Sequence, residues 1–505
     1  MIYVSIIVEA LRSRPVLVFW LAALAQTVLW TLVPSLFYAA PPGELPHVLA
    51  LGRELRLGPA VGPPLGYWLA EFAFRAGGMF GVYLLSQLCV LTAFYGVFAL
   101  GRAMFGRTHA AMAAMLLAGI ALYSVPSVEF GPHILAAAIW SLMLLHYWRA
   151  LGEGRPRFWY VLGFEAALLV MTTPLALLLI GLLVVFTAGT ARGRATLDTA
   201  EPWVALLAVI GALIPVLFWL DGVFERLMPI GARLLDGDTR NGNIMTWGRM
   251  LATLLVAHAG IGVLVLLASG WPRAPKADAP RLMRPEPAAL AVSYTLFFAI
   301  APALAITILS VIVGVSTPLG GAAPLALVSA PAVILLCGNA IPMHRQRMTL
   351  YAWTGLLLAP AGLAIAAMLA GPWTFALDLK INQPAFAIGE FVGERFQSRV
   401  GKPLAIVTGD RQLAALVSLR APSRPSVYDA AAPQRTPWIG AADLERDGAV
   451  VVWFASDTRR EVPDDIKKQF PELAAEVPRL FERPVQGLLP KQWIGWAVIR
   501  PKPAS

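Results

Sequence analysis

The sequence predicts a polytopic α-helical membrane protein, with about eleven transmembrane helices, that ends in a small α/β domain. The 505 residues are 58% hydrophobic and only 14% charged, whereas soluble domains carry about 25% charged residues. Apolar runs recur between residues 15 and 371, and a helix needs roughly 20 apolar residues to cross a bilayer. From about Lys380 onward, charges become frequent and the apolar blocks shorten. We therefore expect a transmembrane domain over residues 1–378 and an α/β domain over 379–505.

Eleven apolar runs are interpreted as spans, because backbone polar groups inside a bilayer must be satisfied within the segment itself, as they are in a helix. The first run is longer than the apolar part of a signal peptide, and the bulky Tyr38 does not suit a cleavage site, so we expect a retained anchor. The runs cover, approximately, residues 15–38, 79–100, 110–126, 132–148, 158–172, 174–190, 202–220, 247–270, 288–313, 322–341 and 349–371.

Basic residues are distributed unevenly between the connecting segments. One alternating set of connectors holds fifteen Lys and Arg residues, and the other set holds six. Because basic residues collect on the cytoplasmic side, the N-terminus is predicted to be cytoplasmic and the C-terminal domain to lie on the opposite side. This bias accounts for part of the net charge of +10. No basic run is long or interleaved with aromatic residues, so nucleic-acid binding is not expected.

The C-terminal region alternates strand-like and helix-like segments, which indicates an α/β layer. Thr408-Gly409-Asp410 follows the first predicted strand. It is interpreted as a turn in which Asp410 caps the next helix, the alternative being a ligand site at the strand end. Neither G-x-G-x-x-G nor a Walker A motif is present. The predicted strands are "PLAIVTGD" (403–410), "AVVVWFA" (449–455), "WIGWAVIR" (493–500) and a short piece of 425–430, with a helix over 411–419.

The first outside connector, residues 39–78, contains the first cluster of titratable side chains. Two helix-like halves, 44–57 and 64–77, are separated by Gly-Pro sequences, and the first half has the pattern of an amphipathic helix lying at a membrane interface. Its titratable residues are Glu44, His47, Arg53, Glu54 and Arg56. Glu44 lies where an acidic residue favours the start of a helix, so it is either a helix-start residue or a functional carboxylate.

Two further connectors carry polar residues. Glu129 lies in "VPSVEFGPH", close to His133, and is either part of an interfacial turn or a functional carboxylate. Residues 221–245 contain several acids and Arg240. They lack the twelve-residue spacing and the final Glu of a calcium loop, so a solvated flexible loop is the better interpretation.

Few polar side chains lie inside the predicted spans. His258 is expected to be packed. Glu165 is left open between a functional role and pairing with a neighbouring helix, because a carboxylate inside a membrane is costly. Cys89 and Cys337 are expected to serve packing, and the sequence contains no cluster of His and Cys that suggests a metal site. No cofactor is expected.

Two segments resemble a known family. "GPPLGYWLAEFAF" (62–74) is similar to the "HPPL..WL" segment of the GT-C glycosyltransferases, and "FGVYLLSQL…YGVFALGRAMFG" (80–106) is similar to the segment that follows it. The likeness covers roughly residues 10–370 and is greatest to the family-39-like branch, which includes protein mannosyltransferases and aminoarabinose transferases. Three positions depart from the family pattern: Gly43-Glu44 stands in place of an Asp-Glu pair, the second acidic motif near Glu129 is not intact, and Thr173-Pro174 replaces a Lys-aromatic pair.

The resemblance implies a bacterial inner-membrane enzyme of GT-C type. It would move a sugar, with inversion, from a polyprenyl-phosphate donor to an envelope glycolipid, polysaccharide or protein on the periplasmic side, among membrane lipids. Glu44 or Glu129 would act as the base. The expected substrate-binding residues are His47, Arg53, Arg56, His133 and Arg240, and no metal is implied. The alternatives are a non-catalytic GT-C-fold protein that binds a lipid-linked sugar or a partner, and, further removed, a lipid or sugar transporter.

Overall fold

The computed structural model describes residues 9–56, 61–219, 237–269, 281–313, 319–342 and 345–502. The chain divides into two units. Unit 1 comprises residues 1–32 and 83–362, and unit 2 comprises residues 33–82 and 363–505. The first outside connector therefore belongs to the same unit as the C-terminal α/β layer. The domain boundary at residue 378 rests on composition and stays a prediction.

Unit 1 is built almost entirely of helices. Two short antiparallel strands, Arg281–Met283 and Ala340–Pro342, pair within it. The helices that lie in unit 1 or enter it are Pro15–Phe37, Leu65–Phe105, Arg107–Leu116, Pro132–Leu151, Phe158–Val170, Ala176–Gly189, Ala191–Thr196, Glu201–Trp219, Gly237–Ala257, Ala259–Ser269, Ala289–Val313, Ser329–Leu336 and Gln346–Leu369.

Each predicted span corresponds to an apolar helix or helix pair, but these helices differ in length and in straightness. By length and composition, the described residues contain five helices that could cross a membrane, or up to seven if each of two bent pairs is one span. The other predicted spans correspond to shorter apolar helices: Phe158–Val170, Ala176–Gly189, Glu201–Pro215 and Gly321–Leu336. The membrane-type fold is present, and the expectation of eleven full-length spans is not confirmed.

The predicted span 110–126 is not one straight helix. Arg107–Gly119 and Ala121–Val128 meet at a bend of 80°, and residues 117–128 form short 3₁₀ turns. The Gly119 and Gly260 backbones approach so closely that a Cβ on Gly260 would lie 2.3 Å from the Gly119 carbonyl oxygen. The Tyr123 hydroxyl donates to the Ala323 carbonyl at 2.7 Å, and the Gln26 amide donates to the Tyr123 carbonyl at 2.6 Å. Long-range contacts therefore stabilise the bend.

The two polar side chains that the sequence analysis singled out inside the spans both have hydrogen-bond partners in unit 1. Glu165 Oε1 lies 2.7 Å from His146 Nδ1, so the structure favours the pairing interpretation of this carboxylate. The His258 ring contacts the Leu254 carbonyl at 2.6 Å and the Ser329 hydroxyl at 2.9 Å, as expected for a packed histidine. Cys89 is buried as predicted, whereas Cys337 is exposed just after helix Ser329–Leu336.

Unit 2 contains a five-stranded sheet with helices and the first connector packed around it. The strand order is Ser426–Val427, Ile406–Gly409, Ala449–Ala455, Gln492–Ile499, Arg479–Phe481. The first three strands are parallel to one another, and Gln492–Ile499 runs antiparallel to both of its neighbours. Four of these strands lie at the predicted positions. The helices are Leu45–Glu54, the start of Leu65–Phe105, Gly371–Thr374, Ala385–Val400, Arg411–Arg420, Ala441–Asp447 and Asp464–Gln469.

The sheet core is apolar and is covered by two of these helices. Val407, Val450 and Ile494 of the sheet are fully buried against Ile388 and Leu413 of the helices. The Asp410 carboxylate accepts the backbone N–H of Leu413 at 2.9 Å, which confirms the predicted helix cap. The Asp410 side chain therefore has a structural role, while its neighbours Gly409 and Arg411 line a cavity at this strand end.

Helix Leu65–Phe105 is interrupted at Gly77 and Gly78, the boundary expected between the second half of the connector and the following span. Gly78 has φ +58° and ψ −147°, whereas Gly77 has φ −150° and ψ 22°. No atom lies within 4 Å of a Cβ built on either residue. The difference between the two glycines is therefore one of backbone conformation.

Gly78→Ala is expected to lower stability by about 1–3 kcal/mol, because only glycine adopts this backbone conformation without strain. Gly77→Ala is the matched control and should cost clearly less, since its φ is negative. Thermal unfolding of the two purified variants measures the difference. Equal melting temperatures would contradict the strain argument.

Candidate functional site

The helix Leu45–Glu54, which we call the first-loop helix, begins the site in unit 2. Its apolar residues Leu45 and Leu49 are fully buried, and the helix packs on Arg411–Arg420. A Cβ on Gly52 would lie 2.2 Å from the Tyr67 carbonyl oxygen, so this glycine allows close backbone packing. The amphipathic face predicted to lie on a membrane interface is thus covered by protein within unit 2.

Glu44 lies directly before this helix, but its side chain makes no capping bond. Its Oε2 lies 3.5 Å from Arg411 Nη2, and the two side chains are 62% and 52% exposed, respectively. Glu44 therefore stands at the start of the helix, as one of the two interpretations expects. Its side chain does not cap the helix, however, but contacts Arg411. The carboxylate is accessible and has a cationic neighbour.

A cavity of about 340 Å³ opens beside this pair. Its walls come from two distant stretches of the chain: residues 47–54 with Val61 and Tyr67, and residues 409–438. Asp429 and Arg435 form an ion pair at 3.4 Å in the wall. The polar and aromatic lining residues are His47, Glu54, Tyr67, Arg411, Tyr428, Asp429, Arg435, Thr436 and Trp438. The cavity is therefore polar, aromatic and close to balanced in charge.

His47 lies in the cavity wall as a neutral side chain at neutral pH. Burial lowers its pKa to about 4, and the guanidinium of Arg411 acts in the same direction. The carboxylates of Glu44 and Asp429 oppose this shift without overcoming it. Its Nδ1 is buried, with no hydrogen-bond partner among the described residues. An imidazole in this state can donate or accept one hydrogen bond from a neutral ligand.

The two arginines expected to bind phosphate lie in different surroundings. The Arg56 guanidinium is 6.0 Å from the centre of the Trp438 ring, at the cavity wall. Arg53 instead lies within electrostatic range of Glu54, which lines the cavity, and of the charge cluster formed by Arg424, Glu71 and Arg75. The structure thus brings Glu44, His47 and Arg56 to the cavity region and places Arg53 near both Glu54 and that charge cluster.

That charge cluster is centred on Glu71, whose side chain is fully buried. Arg424 donates two hydrogen bonds to it, at 2.8 Å and 3.0 Å, and Arg75 donates a third at 2.8 Å. The Arg424 guanidinium also lies 4.6 Å from the centre of the Phe74 ring. Sequence reasoning missed Glu71, although a carboxylate inside the apolar segment "WLAEFAF" is a recognisable signal.

Glu129 and His133 form a polar group within unit 1. The His133 ring hydrogen-bonds the main chain of Glu129. The preceding turn is held by Ser86, whose hydroxyl donates to the Ser127 carbonyl at 2.5 Å, and by Gln87, whose amide donates to the Ser127 hydroxyl at 3.1 Å. The predicted neighbourhood of Glu129 and His133 is therefore found.

The last predicted site residue, Arg240, lies in helix Gly237–Ala257, and its side chain is outside the described residues. The expectation of a flexible loop over 221–245 is wrong for residues 237–245, because the apolar helix that follows extends back to Gly237. Residues 221–236 lie outside the described part of the chain. Within the described ranges, no three His, Cys, Asp or Glu side chains are placed to hold a metal ion.

Comparison with known proteins gives a family match and matches to eleven chains of solved structures, three of which are described below. The family described as dolichyl-phosphate-mannose-protein mannosyltransferase matches residues 61–219. No curated protein sequence matches the chain. The crystal structure of ArnT from Cupriavidus metallidurans bound to undecaprenyl phosphate is 16% identical, with a TM-score of 0.52, and the match covers 95% of this chain and 97% of that chain.

Two further structures match with lower scores. The apo form of the same ArnT is 14% identical over 96% of this chain and 97% of its own, with a TM-score of 0.46. The apo oligosaccharyltransferase of Archaeoglobus fulgidus is 14% identical over 81% of this chain and 64% of its own, with a TM-score of 0.42. The resemblance to GT-C glycosyltransferases seen in the sequence is confirmed, and the fold is similar to that of ArnT.

Glu71→Gln is expected to destabilise the protein by about 2–4 kcal/mol, because it leaves the partly buried Arg424 without its charged partner. Glu390→Gln, at an exposed position, is the matched control and should change stability little. Thermal or denaturant unfolding of both variants checks this. A Glu71→Gln variant as stable as wild type would contradict the buried ion-pair argument.

His47 should make the protein sensitive to mild acid. Its folded-state pKa of about 4 is below the ordinary value of 6.5, so the unfolded chain binds the proton first and stability falls as pH decreases through this window. The loss between pH 6.5 and pH 5 is expected to be about 1.5 kcal/mol. His47→Gln, which cannot titrate, should lose less. Parallel melting curves of wild type and variant at these two pH values measure the difference, and identical losses would contradict the assignment.

Proposed function

We propose that the chain is a membrane glycosyltransferase that moves a sugar from a polyprenyl-phosphate donor to an envelope acceptor on the periplasmic side of a bacterial inner membrane. The observation that carries the proposal is the likeness to an ArnT bound to undecaprenyl phosphate over nearly the whole of both chains. The family match over residues 61–219 points to the same chemistry, sugar transfer from a lipid phosphate. The bias of basic residues supports the orientation.

The reaction is a single displacement with inversion. An acceptor hydroxyl attacks the anomeric carbon, the bond from that carbon to the phosphate oxygen breaks, and the lipid phosphate leaves with the bonding electrons. A carboxylate takes the hydroxyl proton as the new bond forms. Glu44 is accessible beside the polar cavity of unit 2, and Glu129 lies in an anchored turn of unit 1. Either carboxylate could supply this base.

The leaving phosphate needs cationic donors, since charge accumulates on its oxygens. Guanidinium groups suit phosphate because their planar fork can donate two parallel hydrogen bonds. Arg56 is exposed near the cavity. Arg53 has a buried Nη1 without a partner among the described residues. Both remain proposed phosphate ligands, together with Arg240.

A non-catalytic GT-C-fold protein is the second candidate. Two observations favour it: Gly43-Glu44 replaces the Asp-Glu pair of the family, and the Glu44 carboxylate lies against Arg411. Such a protein would bind a lipid-linked sugar or a partner without turning it over. It would retain donor binding and show no transfer with any acceptor.

Glu44→Gln or Glu129→Gln is expected to reduce sugar transfer by about 10²-fold or more, since a positioned general base contributes roughly 10²–10⁴. Transfer is measured by mass spectrometry of envelope glycolipids and polysaccharides in a deletion strain that expresses each variant. Glu390→Gln is the control and should restore transfer fully. Each variant must reach the membrane in wild-type amounts.

The possible results separate the candidates. A sugar-sized mass that is lost on deletion and restored by wild type supports transfer and identifies the sugar and the acceptor. Full restoration by both Gln variants would remove the assigned bases. No mass change in lipids, polysaccharides or proteins of the deletion strain would favour the non-catalytic candidate.

A further inference from the structure

Large apolar side chains that water can reach are concentrated in one part of the C-terminal stretch of unit 2. Among the described residues from 363 onward, nine such side chains are exposed. Single exposed apolar residues are ordinary in proteins, whereas a cluster of them marks a surface that contacts something apolar. Six of the nine lie between residues 363 and 386: Leu363, Leu369, Trp373, Phe375, Leu377 and Phe386.

The cluster begins on a helix that could cross a membrane. Helix Gln346–Leu369 has 24 residues and an apolar sequence, and a bilayer requires roughly 20 such residues. The last two turns of this helix, from Leu363 to Leu369, belong to unit 2. Both of these leucines are exposed. The exposed apolar surface therefore continues from a membrane-type helix into the segment that follows it.

That segment, residues 371–379, which we call the aromatic loop, folds back on itself. The Phe375 and Leu377 N–H groups both donate to the Gly371 carbonyl, at 3.0 Å and 3.1 Å. The loop therefore stays near the end of the helix instead of leading away from it. Its Trp373 side chain is exposed, and that of Phe375 is 85% exposed. Aromatic residues directly beyond an apolar helix are typical of the layer where acyl chains meet lipid head groups.

The α/β part of unit 2 is attached to this loop through residues 483–488. The Leu488 N–H donates to the Pro372 carbonyl at 2.9 Å. The Arg483 guanidinium pairs with the Asp378 carboxylate at 3.0 Å. The Leu488 side chain is itself exposed. Leu488 therefore extends the apolar surface of the aromatic loop with a residue that lies just after the edge strand of the sheet.

A lipid bilayer suits this surface better than a second protein does. The surface starts on the exposed side of a membrane-type helix, so a protein that covered all of it would have to enter the membrane as well. Lys380 follows the aromatic loop and is exposed. A lysine beside interfacial aromatic residues can extend its ammonium group to the lipid phosphates while its methylene groups stay on apolar surface.

We propose that the aromatic loop and Leu488 insert into the interfacial layer of the bilayer and hold the five-stranded sheet at the membrane surface. The partner of this surface is the lipid itself. The contact requires no turnover, so it stands apart from the proposed sugar transfer, and either one can fail without the other.

The test measures the membrane depth of a fluorescent label at single positions. The full chain, with Cys89→Ala and Cys337→Ser, carries the label at Phe375→Cys or at Leu488→Cys in vesicles of phosphatidylethanolamine and phosphatidylglycerol. Nitroxide groups placed on the lipid head group, on the upper acyl chain or at the chain end quench a label that lies at their own depth. Upper-chain nitroxides should quench both labels most strongly, since interfacial segments lie about 5–10 Å into the boundary between head groups and acyl chains.

Glu461→Cys provides the matched control. Its side chain is 80% exposed, close to the exposure of Phe375, but it lies in the charged segment "SDTRREVPDD". Aqueous iodide should quench a label at this position, and lipid nitroxides should leave it unchanged. Labels at positions 375 and 488 should show the opposite pattern.

A second pair of variants tests whether the aromatic loop holds Leu488 in the lipid. With the label at Leu488→Cys, Phe375→Asp should reduce quenching by lipid nitroxides, because a carboxylate is costly to place among acyl chains. Phe375→Leu should preserve the quenching. The Phe375 side chain is largely exposed, so neither substitution disturbs the folded core.

Three results would overturn the proposal. The first is iodide quenching at positions 375 and 488 as strong as at position 461, with no effect of lipid nitroxides. The second is shielding of both positions from both quenchers, which would show that protein, such as a second copy of the chain, covers the surface. The third is equal nitroxide quenching of the Leu488→Cys label in the Phe375→Asp and Phe375→Leu variants.

Discussion

The buried carboxylate of Glu71 is the constraint on which the candidate site depends. A carboxylate removed from water is stable only when it is paired and hydrogen-bonded, and here Arg424 supplies two bonds from a position 353 residues away. Arg424 has φ +48° and comes just before the strand Ser426–Val427. The pair therefore fixes the first connector against the edge of the sheet. Both walls of the cavity depend on that placement, because one wall belongs to the connector and the other comes from residues on either side of this strand.

Local patterns in the sequence predicted the local parts of the fold. Apolar length identified Pro15–Phe37 and Pro132–Leu151 as helices to within a few residues, and alternation of strand and helix signals placed the strands Ala449–Ala455 and Gln492–Ile499. The break at Gly77-Gly78 lies at the predicted boundary between the second half of the connector, 64–77, and the span 79–100. The bend after Leu116 was not predicted, since it is stabilised by Tyr123 and Gln26 through contacts with residues far away in the chain.

In the candidate site, too, local sequence identified some residues, whereas residues that are distant in the chain were missed. Glu44 and His47 were identified because they are unusual residues in an apolar neighbourhood. Their neighbours Arg411 and Asp429 were not, because only the fold brings the first-loop helix next to residues 409–438. Trp438 carries no local signal of a binding role. Sequence reasoning therefore finds one wall of a pocket when that wall is polar and short, and it cannot find the wall that faces it.

The contact between Glu44 and Arg411 does not decide between a base and a structural carboxylate. The two side chains are more than half exposed and 3.5 Å apart, and an exposed ion pair of this kind contributes only about 0–1 kcal/mol. A ligand oxygen can compete with Glu44 for Arg411 at small cost. Arg411 also lines the cavity, so a ligand there would reach the guanidinium that faces Glu44. The substitution of Asp-Glu by Gly43-Glu44 removes one carboxylate from the family pattern, but it leaves an accessible one, which is the base that we propose.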